Sequence, residues 1–137
     1  MRSGAPELTR FPFHSRRNTV PSALAMTVLN IATQQPFTTK DGSTIRTNAP
    51  VSHQSLAEAS VPAGITTQRH YHRQSEEFYY ILEGAGKMTI GDKTRAVVPG
   101  DAILIPPGAW HFITAELDLR FLCACSPPYS HDDTFLE

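Results

Sequence analysis

The chain has 137 residues, 40% of them apolar and 18% charged, which suits one domain with a sizeable core. A formal net charge of -1 gives no electrostatic hold on a nucleic-acid backbone. No run approaches the ~20 apolar residues of a membrane span, so neither a nucleic-acid nor a membrane partner is expected.

The first segment, residues 1–25, holds Arg2, Arg10, Arg16 and Arg17 against Glu7, with prolines at 6, 12 and 21. That local +3 leaves about -4 for the remainder (-1 minus 3). A polar, proline-broken lead of this kind is expected to be a disordered extension, or an over-called start with Met26 as the true first residue. A single domain over 26–137 then follows. The lead has no apolar signal-peptide core, and Cys123 and Cys125 stand at i, i+2, awkward for a disulfide. Free thiols fit a cytoplasmic protein.

From there the chain reads as short strands punctuated by turns. Val28–Ile31 and Ser43–Thr47 are separated by Lys40-Asp41-Gly42, a turn signal. Gln54–Val61 stops at Pro62-Ala63-Gly64, Thr66–His72 follows, and Glu77–Glu83 is rich in aromatic and β-branched residues. Gly86–Ile90 and Lys93–Val98 flank Gly91-Asp92 as a tight hairpin. Ala102–Ile105, Trp110–Thr114 and Asp118–Cys125 complete the strands, and Pro127-Pro128 begins a tail. Roughly nine or ten short strands at 8–12-residue spacing predict an all-β fold, a single antiparallel barrel of jelly-roll type.

Within this pattern one constellation carries chemistry. His70 and His72, at i, i+2 in a strand, project from one face. A carboxylate follows a few residues later, and His111 comes after the Pro106-Pro107-Gly108 turn. Imidazoles with one carboxylate suit a borderline first-row metal. Glu76 competes with Glu77 for the carboxylate role. If Glu77 faces inward, so do Tyr79 and Ile81, while Phe78, Tyr80 and Leu82 face out. Gln68 shares the parity of the two histidines and Tyr79 that of Glu77, which makes both candidates for catalytic or substrate-holding roles. Arg120 is a candidate anion holder if its face points inward. His53 and His131 fall outside the constellation.

Gly64-x5-His70-x-His72-x4-Glu77-x6-Gly84 and Gly100-x5-Pro106-x-Gly108-x2-His111 resemble the two signature motifs of the cupin superfamily. Every fixed position is present except the last of the second motif, where many cupins have Asn and this chain has Ala115; that Asn is not a ligand in the family. The resemblance covers roughly residues 50–130. The ending Cys125–Thr134 also looks like small single-domain bacterial cupins of the RmlC-like kind, often labelled "mannose-6-phosphate isomerase-like", a fold-level label and not a reaction.

The resemblance implies a cupin barrel in which His70, His72, Glu77 and His111 bind one divalent metal. Fe or Mn is expected first, with Ni, Zn and Cu the alternatives. Such a site leaves positions open for substrate, as oxygenase, isomerase or lyase chemistry requires. The leading reading is thus a metal-dependent small-molecule enzyme, an oxidoreductase or isomerase among the possibilities. The alternative is a non-catalytic binding module for a small anion or sugar. Small cupins commonly pair their barrels, so a homodimer is expected, with Val28–Ile31 the strand expected to cross over.

Overall fold

Strand-forming segments separated by glycine and proline turns dominate the chain, and a computed structural model describes residues 26–48 and 51–137. The expected extension over 1–25 lies outside the described residues. Among those residues the strands are β1 Phe37–Thr38, β2 Thr44–Thr47, β3 Ser55–Val61, β4 His70–His72, β5 Glu76–Glu83 and β6 Gly86–Ile90. They continue with β7 Lys93–Val97, β8 Ala102–Ile105, β9 His111–Ala115, β10 Leu119–Ser126 and β11 Thr134–Leu136. Two antiparallel sheets result, ordered β1-β2-β3-β10-β5-β8 and β11-β4-β9-β6-β7. This is the jelly-roll barrel expected from the turn spacing. No described helix is long and apolar enough to cross a membrane.

Period-two alternation decides what each strand gives to the interior. In β5, Glu77, Tyr79 and Ile81 are buried while Glu76, Phe78 and Tyr80 are exposed. In β9, His111, Ile113 and Ala115 are buried between half-buried Phe112 and Thr114. The apolar part of the barrel is filled by Val61, Ile81, Ile105, Ile113, Leu119 and Phe121, each at most 2% exposed. Fully burying a side chain of this size stabilises the fold by roughly 1.5–3 kcal/mol. That apolar floor leaves the other end of the barrel free for polar groups. Trp110 is half-buried on the outside, its ring 4.7 Å from that of Tyr71, which in turn stacks on Phe135 at 5.1 Å.

Two motif glycines differ in what they do. Gly84 has φ +88°, and a Cβ there would collide with the carbonyl oxygen of Asp118. Gly108 has φ +79° with nothing near its missing Cβ. Gly84→Ala is therefore expected to cost roughly 3 kcal/mol, and Gly108→Ala only about 1 kcal/mol, the cost of the left-handed backbone alone. Thermal melts of the two variants check this, and equal melting temperatures would refute it.

The strand expectations need four corrections. Val28–Ile31 is not a strand: residues 26–30 have no regular structure and Ile31–Thr33 makes one 3-10 turn. Asn30 Oδ1 accepts the Ala32 N–H at 3.0 Å, local bonding that competes with a sheet ladder. Thr66–His72 shortens to β4, with only a bridge at Thr66 to Thr114. The Thr67 hydroxyl accepts the Ile113 N–H at 3.1 Å, replacing the ladder there. Phe37–Thr38 is an unforeseen strand paired to β2. The supposed tail after Pro127-Pro128 returns as β11, placing Thr134 opposite His72 on β4.

Candidate metal centre

His70 and His111 face each other as a cross-strand pair between β4 and β9. His72 follows on the same face of β4, and its burial matches theirs: 3%, 5% and 0% exposed for His70, His72 and His111. The three offer ring nitrogens that lie within 4.8 Å of one another, a grouping able to hold an ion.

Their aim is set by the other ring nitrogen. His70 Nδ1 sits 2.8 Å from the Gln68 carbonyl oxygen and His111 Nδ1 sits 2.9 Å from that of Ala109. His72 Nδ1 lies 3.3 Å from both the Asp133 carbonyl and the Thr134 hydroxyl. Beside a carbonyl, Nδ1 must donate, so in each neutral ring Nε2 carries the lone pair. The second sheet brings Glu77 to the same place. Its Oε2 is 3.2 Å from His72 Nε2 and 3.7 Å from His111 Nε2. Glu77 Oε2 and His111 Nε2 are both buried without a hydrogen-bond partner among the described residues. Buried acceptors facing acceptors are costly unless a cation lies between them. The donor set therefore fits a divalent metal.

The electrostatics agree. Burial pushes His111 down to about 4, with His70 adding to the effect, so its imidazole is neutral. Burial also pulls His72 down, but the Glu77 carboxylate together with the Asp133 carbonyl and charge outweighs it and leaves the pKa raised. Cys125 donates from Sγ to Glu77 Oε1 at 3.3 Å, and burial followed by the Glu77 charge pushes its thiol well up. Tyr79 and Cys123 are raised for the same two reasons.

A narrow cavity of about 30 Å³ opens beside the histidines. Tyr79, Cys123 and Cys125 line it, with Tyr129 and Thr134 from the C-terminal segment. That segment is tied down by Asp133, whose carboxylate accepts the backbone N–H groups of Arg73, Gln74 and Ser75 at 3.1 Å. Burial pulls this carboxyl up, yet the three donors outweigh it and hold it below its usual range.

The remaining candidates fall elsewhere. The Gln68 side chain is exposed, and Gln68 meets the centre through its carbonyl alone. Arg120 lies on the outer face, where it binds Glu83 at 2.8 Å and Glu58 at 3.1 Å. His53 and His131 are exposed, as is Glu76. Several cavity residues were missed, among them an acidic one. Asp41, read as part of a turn signal, is 7% exposed and lines the cavity, with Oδ2 3.9 Å from His70 Nε2.

Comparison with known proteins places this architecture. The family described as "Cupin domain" matches residues 57–125. The chain belongs to the cupin family. It is 48% identical over 107 residues to an uncharacterised protein of Methanocaldococcus jannaschii, covering 73% of this chain and 86% of that one. Among solved structures it resembles Pac13 of Streptomyces, described as a nucleoside dehydratase, with a TM-score of 0.72 and 16% identity over 82% of this chain and 92% of that one. Ectoine synthase from P. lautus gives a TM-score of 0.66 and 20% identity, covering 82% and 90%. At these identities the solved structures share the fold.

Proposed function

We propose that His70, His72, His111 and Glu77 hold one divalent first-row metal and that the chain is an enzyme acting there on a small molecule. The observation that carries this is the set of buried, unpartnered acceptors, Glu77 Oε2 and His111 Nε2, turned toward one another. Once bound, such an ion supplies Lewis-acid or redox activation of a ligand. The chain does the rest. The carbonyls of Gln68 and Ala109 orient two imidazoles, the Asp133 carbonyl and Thr134 hydroxyl orient the third, and the apolar cluster keeps water from the buried side. Tyr79 keeps its proton and thus acts as a hydroxyl donor to a ligand, not as the base. Fe or Mn is the favoured ion, with Ni, Zn and Cu the alternatives.

A non-catalytic binding module is the second reading. Tyr79, Cys123 and Cys125 are all held protonated by burial, so among the described residues the wall offers a base only through its carboxylates. Elemental analysis of protein purified without added metal, then an oxygen-uptake and product screen over small acids and diols, separates the readings. Absence of any metal would sink both.

The chain is further proposed to pair as a homodimer in the cytoplasm. Across β3, β10, β5 and β8, Leu56, Ala124, Phe78 and Leu104 form one cross-strand row on the outer face. Leu56, Phe78 and Leu104 are 39%, 45% and 45% exposed, a contiguous apolar surface of the kind that marks an interface. Light scattering should give twice the mass of one chain, and Phe78→Glu should return it to one. A monomeric wild type would refute the pairing. A protein starting at Met26 should keep its metal and melt within a few degrees of the full chain; a large drop would show that residues 1–25 pack on the barrel.

A further inference from the structure

Asp41 is the described carboxylate of the cavity left without a task, and its surroundings are built. It sits in the turn between β1 and β2, where Gly42 takes φ +89° and Gly42 N–H bonds the Thr39 carbonyl at 3.0 Å. Its Oδ1 accepts three donors: the Thr39 hydroxyl, the Ser43 N–H at 3.0 Å and the Ser43 hydroxyl at 2.8 Å. Its carbonyl accepts the Gln68 N–H at 2.8 Å, tying the turn to the segment that leads into β4. The carboxylate is thereby fixed while Oδ2 is left with no hydrogen bond among the described residues, on the cavity wall.

Asp41 does not duplicate Glu77. Glu77 comes within 4.0 Å of two histidine nitrogens, whereas Asp41 comes within that distance of His70 alone, at 3.9 Å. An acceptor-only group beside a ligand site reads hydroxyl or N–H donors. No lysine or arginine lines the cavity among the described residues. Lys40, the cation nearest in sequence, turns its Nζ to the Thr134 carbonyl at 3.0 Å instead. A divalent ion is balanced by Glu77 and Asp41 together, which leaves no net positive charge for an anionic ligand.

We infer that Asp41 is a specificity-determining residue that accepts a ligand hydroxyl, and that the ligand is an uncharged, hydroxyl-rich small molecule of the polyol or sugar class. This rests on the metal site proposed above. It narrows the sequence expectation of a small anion or sugar to the sugar alone.

The test titrates metal-loaded protein calorimetrically with glycerol and D-ribose, each against its phosphate ester, glycerol 3-phosphate or ribose 5-phosphate. In the wild type each neutral polyol should bind at least about tenfold more tightly than its ester. Asp41→Asn keeps an oxygen for the Ser43 donors but changes the cavity-facing atom. It should weaken the neutral polyols about tenfold, narrow the gap to the esters, and leave metal content unchanged. Ser43→Ala, a turn control, should keep the preference. Tighter binding of the esters by wild-type protein, or no binding of either neutral polyol, would overturn the inference whether or not the variant folds. Loss of metal from a folded Asp41→Asn protein would also overturn it, showing Asp41 to be a ligand, while the metal proposal itself would stand. Wild-type protein without metal would instead remove the proposal beneath it.

Discussion

Replacing His70 and His72 together by alanine is expected to abolish stoichiometric metal while the β-sheet signal in circular dichroism survives. The two side chains lie at the polar end of the barrel, away from the buried apolar residues Val61, Leu119 and Ile81. Their loss removes two of the three clustered imidazoles, and the remaining His111 with Glu77 gives too few ligands for a tight site. The apo barrel is also relieved of some burial of polar rings, so its own melting temperature should move little. Proton competition adds a sign. A ligand imidazole must be neutral to bind, and His72 holds its proton more firmly than an unperturbed histidine because Glu77 and Asp133 together outweigh burial. Wild-type affinity should therefore begin to fall, as pH drops, at a higher pH than an unperturbed imidazole would give. Elemental analysis and chelator competition across pH check both statements; full metal occupancy in the double variant would count decisively against the assignment.

Ending the chain at Ser126 is expected to weaken metal binding by roughly 10–100-fold, the usual cost of losing the groups that orient a ligand. The deletion removes the Asp133 carbonyl and Thr134 hydroxyl, both 3.3 Å from His72 Nδ1. It also frees the three N–H groups of Arg73, Gln74 and Ser75 that Asp133 holds. The loop between His72 and Glu77 would then have no fixed path, so two of the four proposed ligands would lose their support. Thr134→Val is the milder version, removing one of the two groups beside His72 Nδ1. Chelator competition reads the affinity; an unchanged value in the truncated protein would show that β11 merely covers the barrel.

The parts of this molecule that were legible in its sequence are those written in local spacing. Alternation in Glu77–Ile81 and in His111–Ala115 told inside from outside, because a strand offers only two faces. The turn glycines and prolines between strands announced the barrel for the same reason. Asp41 was illegible because Lys-Asp-Gly describes a solvated turn as well as a buried one. Only the packing of the β1–β2 turn over the cavity distinguishes them. The return of the chain as β11 was hidden behind Pro127-Pro128 and a polar Ser-His-Asp-Asp run, whose place depends on pairing with β4, dozens of residues earlier. Gln68 misled because parity was counted through a segment where only a lone bridge at Thr66 and a bond to the Thr67 hydroxyl stand in for a regular ladder.

Two of the histidines take their bearing from the peptide group two residues before them, Gln68 for His70 and Ala109 for His111. Every amino acid has that carbonyl, so the identity of residues 68 and 109 is free of the task their backbones perform. His72 is the exception, steered by a carbonyl and a hydroxyl 61 and 62 positions away. The centre thus has two self-contained arms and one whose direction is borrowed from the far end of the chain. Substitutions at 68 can change what surrounds the centre without turning an imidazole, whereas anything that lifts the C-terminal segment from β4 is felt at His72 directly and at Glu77 through the loop that Asp133 holds.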